Sequence, residues 1–306
     1  MQWKHLLCAE RFGQHHNATV NQNDIRTEFQ RDFDRLIFSS PFRRLQNKTQ
    51  VLPLPGSVFV HNRLTHSLEV SCVGRSLGNI VYDKIAHTLD TNEKELVREI
   101  GTVISTACLA HDLGNPPFGH SGEKAISEFF VSGRGSEIKD RISIGEYNDL
   151  IRFEGNANLI RLLTHQFNGR RKGGYALTFA TLGSMIKYPF GSGLNQEKNK
   201  YGYFQTEKET FELIMSKLGV PNIDTSKRIF ARHPLVYLVE AADDICYQIM
   251  DLEDAYKLKI LSKQAVHELF IGFFEENRDI KTRDKISKTM TEVADPNEQM
   301  AYLRAI

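Results

Sequence analysis

Long apolar runs are missing from this 306-residue chain. None approaches the roughly 18 residues that a membrane-spanning helix requires, so no helical span is expected. Cysteine is scarce too. Cys8, Cys72, Cys108 and Cys246 stand far apart with no Cys-x-x-Cys pair, which excludes a disulfide scaffold and reads as small buried hydrophobes rather than zinc thiolates. No sign of charge dominates: 39 Lys and Arg against 38 Asp and Glu leave a net charge of +1. A general nucleic-acid coat carries far more positive charge, so any phosphate ligand must be held by local cations. With only 21 Gly and 9 Pro the chain is neither collagen-like nor of low complexity, and 41% hydrophobic residues exclude intrinsic disorder. Lys4, His5, Glu10 and Arg11 interrupt what would be the apolar core of a signal peptide, so a cytoplasmic location is expected.

What the chain has in quantity is helical periodicity. His66, Val70, Val73, Leu77, Val81 and Ile85 follow the 3–4 spacing of one face of a helix over Asn62–Ala86. Leu96, Ile100, Val103 and Ala107 do the same over Glu93–His111, with a stop expected at Gly114, and Val236, Val239, Asp243, Cys246 and Met250 over Pro234–Leu261. The expected fold class is all-α, a helical bundle with at most one small β-hairpin, Gln50–Leu54 and Ser57–Val60, turned at Pro55-Gly56. No repeat or Pro/Gly/Ser linker marks a boundary, so residues 1–306 are expected to form a single domain. Gln299–Ile306 reads as the middle of an amphipathic helix with no glycine cap, so further C-terminal helices are expected beyond it.

Each of the three apolar stripes contains a polar residue where the core demands an apolar one: His66, His111 and Asp243, with Asp112 directly after His111. A buried polar group costs a few kcal/mol unless it is partnered. Two imidazoles and two carboxylates aimed inward can partner one another through a divalent cation of borderline to hard character, Mn, Mg, Ni, Co, Fe or Zn. Further on, His120 stands between Gly119 and Gly122, and Glu123 follows one helical turn later. A carboxylate at i+3 can orient the imidazole for proton transfer near neutral pH. The same spacing also describes a helix N-terminal carboxylate beside a surface histidine.

The blocks Thr65-His66-Ser67, His111-Asp112-Leu113-Gly114-Asn115-Pro116-Pro117-Phe118-Gly119-His120 and Glu240-Ala241-Ala242-Asp243-Asp244-Ile245 resemble the HD-domain superfamily. With Arg26–Asp32, Phe42–Val51 and Phe153–Ala157 they resemble, more narrowly, its deoxynucleoside-triphosphate triphosphohydrolases, the dGTPase family. The resemblance implies that His66, His111, Asp112 and Asp243 hold the metal and that His120 with Glu123 is catalytic. It implies cleavage of a dNTP, dGTP being the favoured substrate, to deoxynucleoside and intact triphosphate by water attack on the α-phosphorus. It places Lys187 and Lys200 on the phosphates and Gln50, Tyr247 and Asp251 on the sugar; spacing alone sets Arg63 one helical turn before His66, close to any metal-bound phosphate, or leaves it in a surface ion pair. Glu154 and Asn156 would hold ligands or water in place. A homo-oligomer (a hexamer is one stoichiometry) and a dNTP or single-stranded DNA effector are the partners it suggests, with no membrane. Two other readings stay open: another HD phosphohydrolase acting on nucleoside monophosphates, cyclic dinucleotides or alarmones, and a non-catalytic nucleotide- or DNA-responsive regulator.

Overall fold

The computed structural model describes residues 2–14, 24–50, 61–168, 172–194 and 199–305. Among them the architecture is helical, with one two-stranded antiparallel sheet, Asn222–Asp224 against Ile229–Phe230. That sheet was not foreseen, while residues 51–60 of the expected hairpin lie outside the described residues. The described residues group into two compact units. The first holds the residues up to Gln50 and those from Asn62 to Asp243; the second holds His61 and the residues from Asp244 onward.

The first unit is organised around the Ile100–Ala110 helix, in which every residue except Thr102 is buried. A helix apolar on all sides must be wrapped by neighbours. The Arg63–Ile85 helix lies closest. Gly78 on it faces Gly101, and a Cβ at position 78 would sit 2.6 Å from the Gly101 Cα, so only a pair of glycines allows the two backbones to come this near. The expected helix from Glu93 to His111 is in fact two, Thr91–Val97 and Ile100–Ala110. The turn at Arg98–Glu99 keeps both Val97 and Ile100 fully buried.

The start of the Arg63–Ile85 helix is set by its sequence. Asn62 is in extended conformation, its Oδ1 accepts from the backbone N–H groups of Leu64 and Thr65, and the Thr65 hydroxyl accepts in return from the Asn62 N–H. These contacts satisfy donors that a helix start leaves without partners. We expect Asn62→Ala to lower stability by about 1 kcal/mol in urea titrations. An unchanged midpoint would show that the cap contributes nothing.

Charged residues in the Arg26–Lys48 stretch are not all solvated. Arg26 pairs at the surface with Asp24 and Asp34, whereas Asp32 is fully buried and accepts from Arg11 Nη1 at 2.6 Å and from both the N–H and the hydroxyl of Thr178.

His233 is buried just before the Val236–Lys257 helix. Its Nε2 lies 3.0 Å from the Leu6 carbonyl and its Nδ1 accepts from the Leu235 N–H at 3.3 Å, so the neutral ring satisfies both nitrogens. Burial lowers its pKa to about 4, with the Leu6 carbonyl opposing. The unfolded chain therefore binds the extra proton first as pH falls from about 6.5 towards 4, and stability drops with it, by up to about 3 kcal/mol. A His233→Gln variant is expected to be less stable at pH 7 and to lose less on acidification; urea midpoints at pH 7, 6, 5 and 4.5 measure this. Parallel slopes for the two proteins would exclude His233 as the acid-sensitive group.

The second unit has its own apolar cluster of Val266, Phe270, Ile286, Met290, Met300 and Leu303. These come from the Lys263–Gly272, Ile280–Glu292 and Pro296–Arg304 helices. Tyr256 donates to the buried Gln299 at 2.6 Å, and His61 Nδ1 lies 2.8 Å from Asp254 Oδ1.

Candidate active site

His66 lies one turn into the Arg63–Ile85 helix, while His111 caps the end of the Ile100–Ala110 helix. The helix expected to stop at Gly114 stops at Ala110, and a turn over residues 111–114 follows. Gly114 serves close approach instead: a Cβ there would lie 2.0 Å from the Gly155 carbonyl oxygen. The two backbones can touch at this point because position 114 carries no side chain.

The structure brings the three expected stripes together at their polar residues. Ligand atoms of His66, His111 and Asp112 lie within 4.8 Å of one another. Asp243 Oδ1 is 3.0 Å from His66 Nε2 and 3.5 Å from His111 Nε2. Histidine tautomers follow from partners rather than from visible protons. His111 Nδ1 donates to the Cys108 carbonyl at 2.6 Å, so its Nε2 carries the lone pair. That buried Nε2 has no hydrogen-bond partner among the described residues, which is the condition of a ligand waiting for an acceptor of its lone pair. The donor set, two imidazoles and two carboxylates, fits a divalent cation of the borderline to hard kind.

The electrostatics agree. Burial by itself would raise the Asp243 pKa, but the His66 hydrogen bond and the charges of His111, His66 and Lys187 hold it at about 2. Burial pushes His111 down, and Asp112 and Asp243 push it further up, so the net shift is upward. Two carboxylates thus draw positive charge to the imidazole, and a cation satisfies the same demand.

Several residues fix these side chains. Arg63 Nη1 donates to Asp112 Oδ2 at 2.5 Å and Asn115 Nδ2 donates to Asp112 Oδ1. Arg63 is thus not a surface ion pair: it is buried against the proposed ligand itself. Lys48 Nζ donates to the Asn115 carbonyl at 2.6 Å and to that of Leu113 at 3.3 Å, which holds the turn that follows His111. Burial lowers the Lys48 pKa, aided by the nearby Arg63 charge. Lys48 and Asn115 carried no role in the sequence reading, although both stand inside the motif blocks.

His120 opens the Gly119–Val131 helix, just after Phe118 and Gly119, both at positive φ (65° and 52°). This left-handed bend, uncommon for a phenylalanine, turns the chain from the Pro116-Pro117 segment into the helix. His120 Nδ1 lies 2.7 Å from Glu123 Oε2, and Glu123 Oε1 accepts from the Gly155 N–H at 2.8 Å. The histidine side chain is 86% exposed while that of Glu123 is 11% exposed, so an anchored carboxylate steers an imidazole that stands in open solvent.

These groups line one cavity of about 220 Å³, which takes in His111, Asp112, His120, Glu123, Asp243 and both expected lysines. Lys187 Nζ is 3.2 Å from Glu240 Oε1, and Lys200 Nζ is 2.8 Å from Glu154 Oε2. Burial lowers each ammonium's pKa, but the carboxylates and Tyr188 more than reverse it, so both stay charged. Glu154, almost fully buried, also caps the Gly155–Thr164 helix through the Asn156 N–H and accepts from Asn156 Nδ2. Glu240, which also pairs with Arg232, and Tyr188 line the cavity without having been foreseen; Glu240 opens the motif block that contains Asp243.

Three expected sugar contacts are not among the residues lining this cavity. Tyr247 and Asp251 belong to the second unit. Gln50 belongs to the first, and its Oε1 is buried without a hydrogen-bond partner among the described residues.

The chain belongs to the HD domain family, which is matched over residues 63–257. That span contains the His66, His111-Asp112 and Asp243 constellation. It is similar to the "Deoxyguanosinetriphosphate triphosphohydrolase-like protein" of Pseudomonas aeruginosa, 46% identical over 286 residues, covering 89% of this chain and 61% of the relative. The protein of the same description from Synechocystis sp. is 42% identical over 281 residues, covering 88% and 63%. The "Deoxyguanosinetriphosphate triphosphohydrolase" of Yersinia pseudotuberculosis is 33% identical over 292 residues, covering 82% and 54%. The chain spans about three-fifths of the length of the first two relatives.

Proposed function

We propose that this chain carries the catalytic centre of a metal-dependent deoxynucleoside-triphosphate triphosphohydrolase, releasing deoxynucleoside and inorganic triphosphate, with dGTP as the favoured substrate. The observation that supports it most is the sharing of one cavity by the His111, Asp112 and Asp243 ligand atoms and the His120–Glu123 pair. Among HD proteins the choice of substrate rests on the relatives, whose names specify the reaction of those proteins.

In this reading His66, His111, Asp112 and Asp243 hold the cation, and Arg63 and Asn115 keep Asp112 aimed at it. A divalent cation held there would supply electrostatic stabilisation to charge on the α-phosphate and would acidify water. Glu123 holds His120 at Nδ1 and leaves Nε2 to move a proton between the attacking water and the departing 5′-oxygen. Lys187 and Lys200 exchange their carboxylate partners for phosphate oxygens, so the chain pre-positions both cations before substrate arrives. Tyr247, Asp251 and Gln50 would recognise the sugar: the tyrosine ring crowds a 2′-hydroxyl and the aspartate accepts from the 3′-hydroxyl.

The test is product analysis by anion-exchange chromatography after incubation with each of the four dNTPs and GTP in Mn²⁺ or Mg²⁺. Intact triphosphate with deoxynucleoside is the expected result. Pyrophosphate or orthophosphate as first product would replace this reading with a different HD chemistry, and no turnover of any nucleotide would overturn it.

A further inference from the structure

His120 lines two cavities. One is the cavity with the proposed metal-ligand residues; the other, of about 500 Å³, shares with it His120, Glu123, Glu154 and Lys200. What the second cavity adds is positive charge, from Lys124 and Arg152. Its two carboxylates are already engaged: Glu123 by His120 Nδ1 and the Gly155 N–H, Glu154 by Lys200 and Asn156. Lys124 and Arg152, by contrast, make no ion pair or hydrogen bond through their side chains among the described residues. Two cations without counter-charges among the described residues, beside a third, Lys200, in a cavity that also takes in the proposed proton-transfer histidine, form a place for a multiply charged anion.

We propose that Lys124 and Arg152, with Lys200, form a second anion subsite that receives the inorganic triphosphate product in the adjoining cavity that shares His120 and Lys200. The inference rests on the reaction proposed above. Lys200 faces both cavities, so a phosphate chain held by it on the metal side can pass to Lys124 and Arg152 without losing cationic contact. The arrangement gives the charged product its own exit, while the nucleoside leaves by the cavity it entered.

The test titrates inorganic tripolyphosphate alone into the whole chain by calorimetry, in EDTA so that no metal takes part, and compares the Lys124→Gln/Arg152→Gln double variant. A Lys124→Glu single variant, altered only at an exposed position, serves if the double variant melts early. We expect the double variant to bind tripolyphosphate at least about tenfold more weakly with an unchanged KM for dNTP. Equal affinity in parent and variants overturns the subsite. A KM that rises in step with the loss of tripolyphosphate affinity also overturns it, since the cations would then contact substrate rather than product. Failure of the reaction reads differently: tripolyphosphate binding that depends on Lys124 and Arg152 without any dNTP turnover removes the product role and leaves an anion site, whereas turnover with unchanged tripolyphosphate binding removes the subsite alone.

Discussion

An Asp243→Ala chain is expected to fold and melt close to the parent, bind no Mn²⁺, and lose turnover by roughly 10³-fold or more. The side chain is one-third exposed, so its loss leaves little cavity. What it removes is charge: Asp243 Oδ1 lies 3.0 Å from His66 Nε2 and 3.5 Å from His111 Nε2. The hydrogen bond to His66 is also lost, so that imidazole no longer has a fixed direction. Equilibrium dialysis against Mn²⁺, read by elemental analysis, measures binding directly. Metal retained at the parent stoichiometry would exclude Asp243 as a ligand, whatever happened to activity. Asp243→Asn separates charge from shape, because the amide keeps an oxygen in place but gives up the negative charge; it is expected to bind metal weakly rather than not at all.

Turnover in a His120→Ala chain should fall by roughly 10²- to 10⁴-fold while dNTP and metal binding persist. Stability should barely move, since an 86% exposed side chain buries almost nothing. Glu123→Gln is the informative companion. Its oxygen can still accept from the Gly155 N–H, but the amide cannot present a carboxylate to His120 Nδ1, so the imidazole is held less well. We expect a smaller loss than in His120→Ala, read in kcat with KM unchanged. The two losses should not add in the double variant, because both act through one proton transfer. Full additivity would show that Glu123 serves only to tie the Gly119–Val131 helix to Gly155.

Local pattern made much of this centre legible. A polar residue in an apolar stripe is conspicuous, and His66, His111 and Asp243 are such residues. Asn62 announced the helix start that the structure shows. Periodicity was less informative about ends. It joined Thr91–Val97 to Ile100–Ala110, since the same residues satisfy the 3–4 spacing with or without a turn between them. The Asn222–Phe230 sheet escaped because two strands of three and two residues are too short for alternation to register.

The sequence by itself determined the helical class, the residue types of the proposed metal set and the His120–Glu123 spacing, because each depends on contacts within about one helical turn. Which side chains meet across helices was decided only by the tertiary structure. Gly78 and Gly101 set how closely the two helices carrying His66 and His111 approach, and Gly114 sets how closely the following turn packs on Gly155. The same packing buries Arg63 on Asp112, brings Lys48 onto the Asn115 carbonyl, and sets Lys187 on Glu240 and Lys200 on Glu154. These pairs span from 46 to 67 positions in sequence, beyond the reach of any periodic pattern. Their geometry follows from close packing of the Ile100–Ala110 core, where a displacement of one ångström would separate a ligand set from its supports.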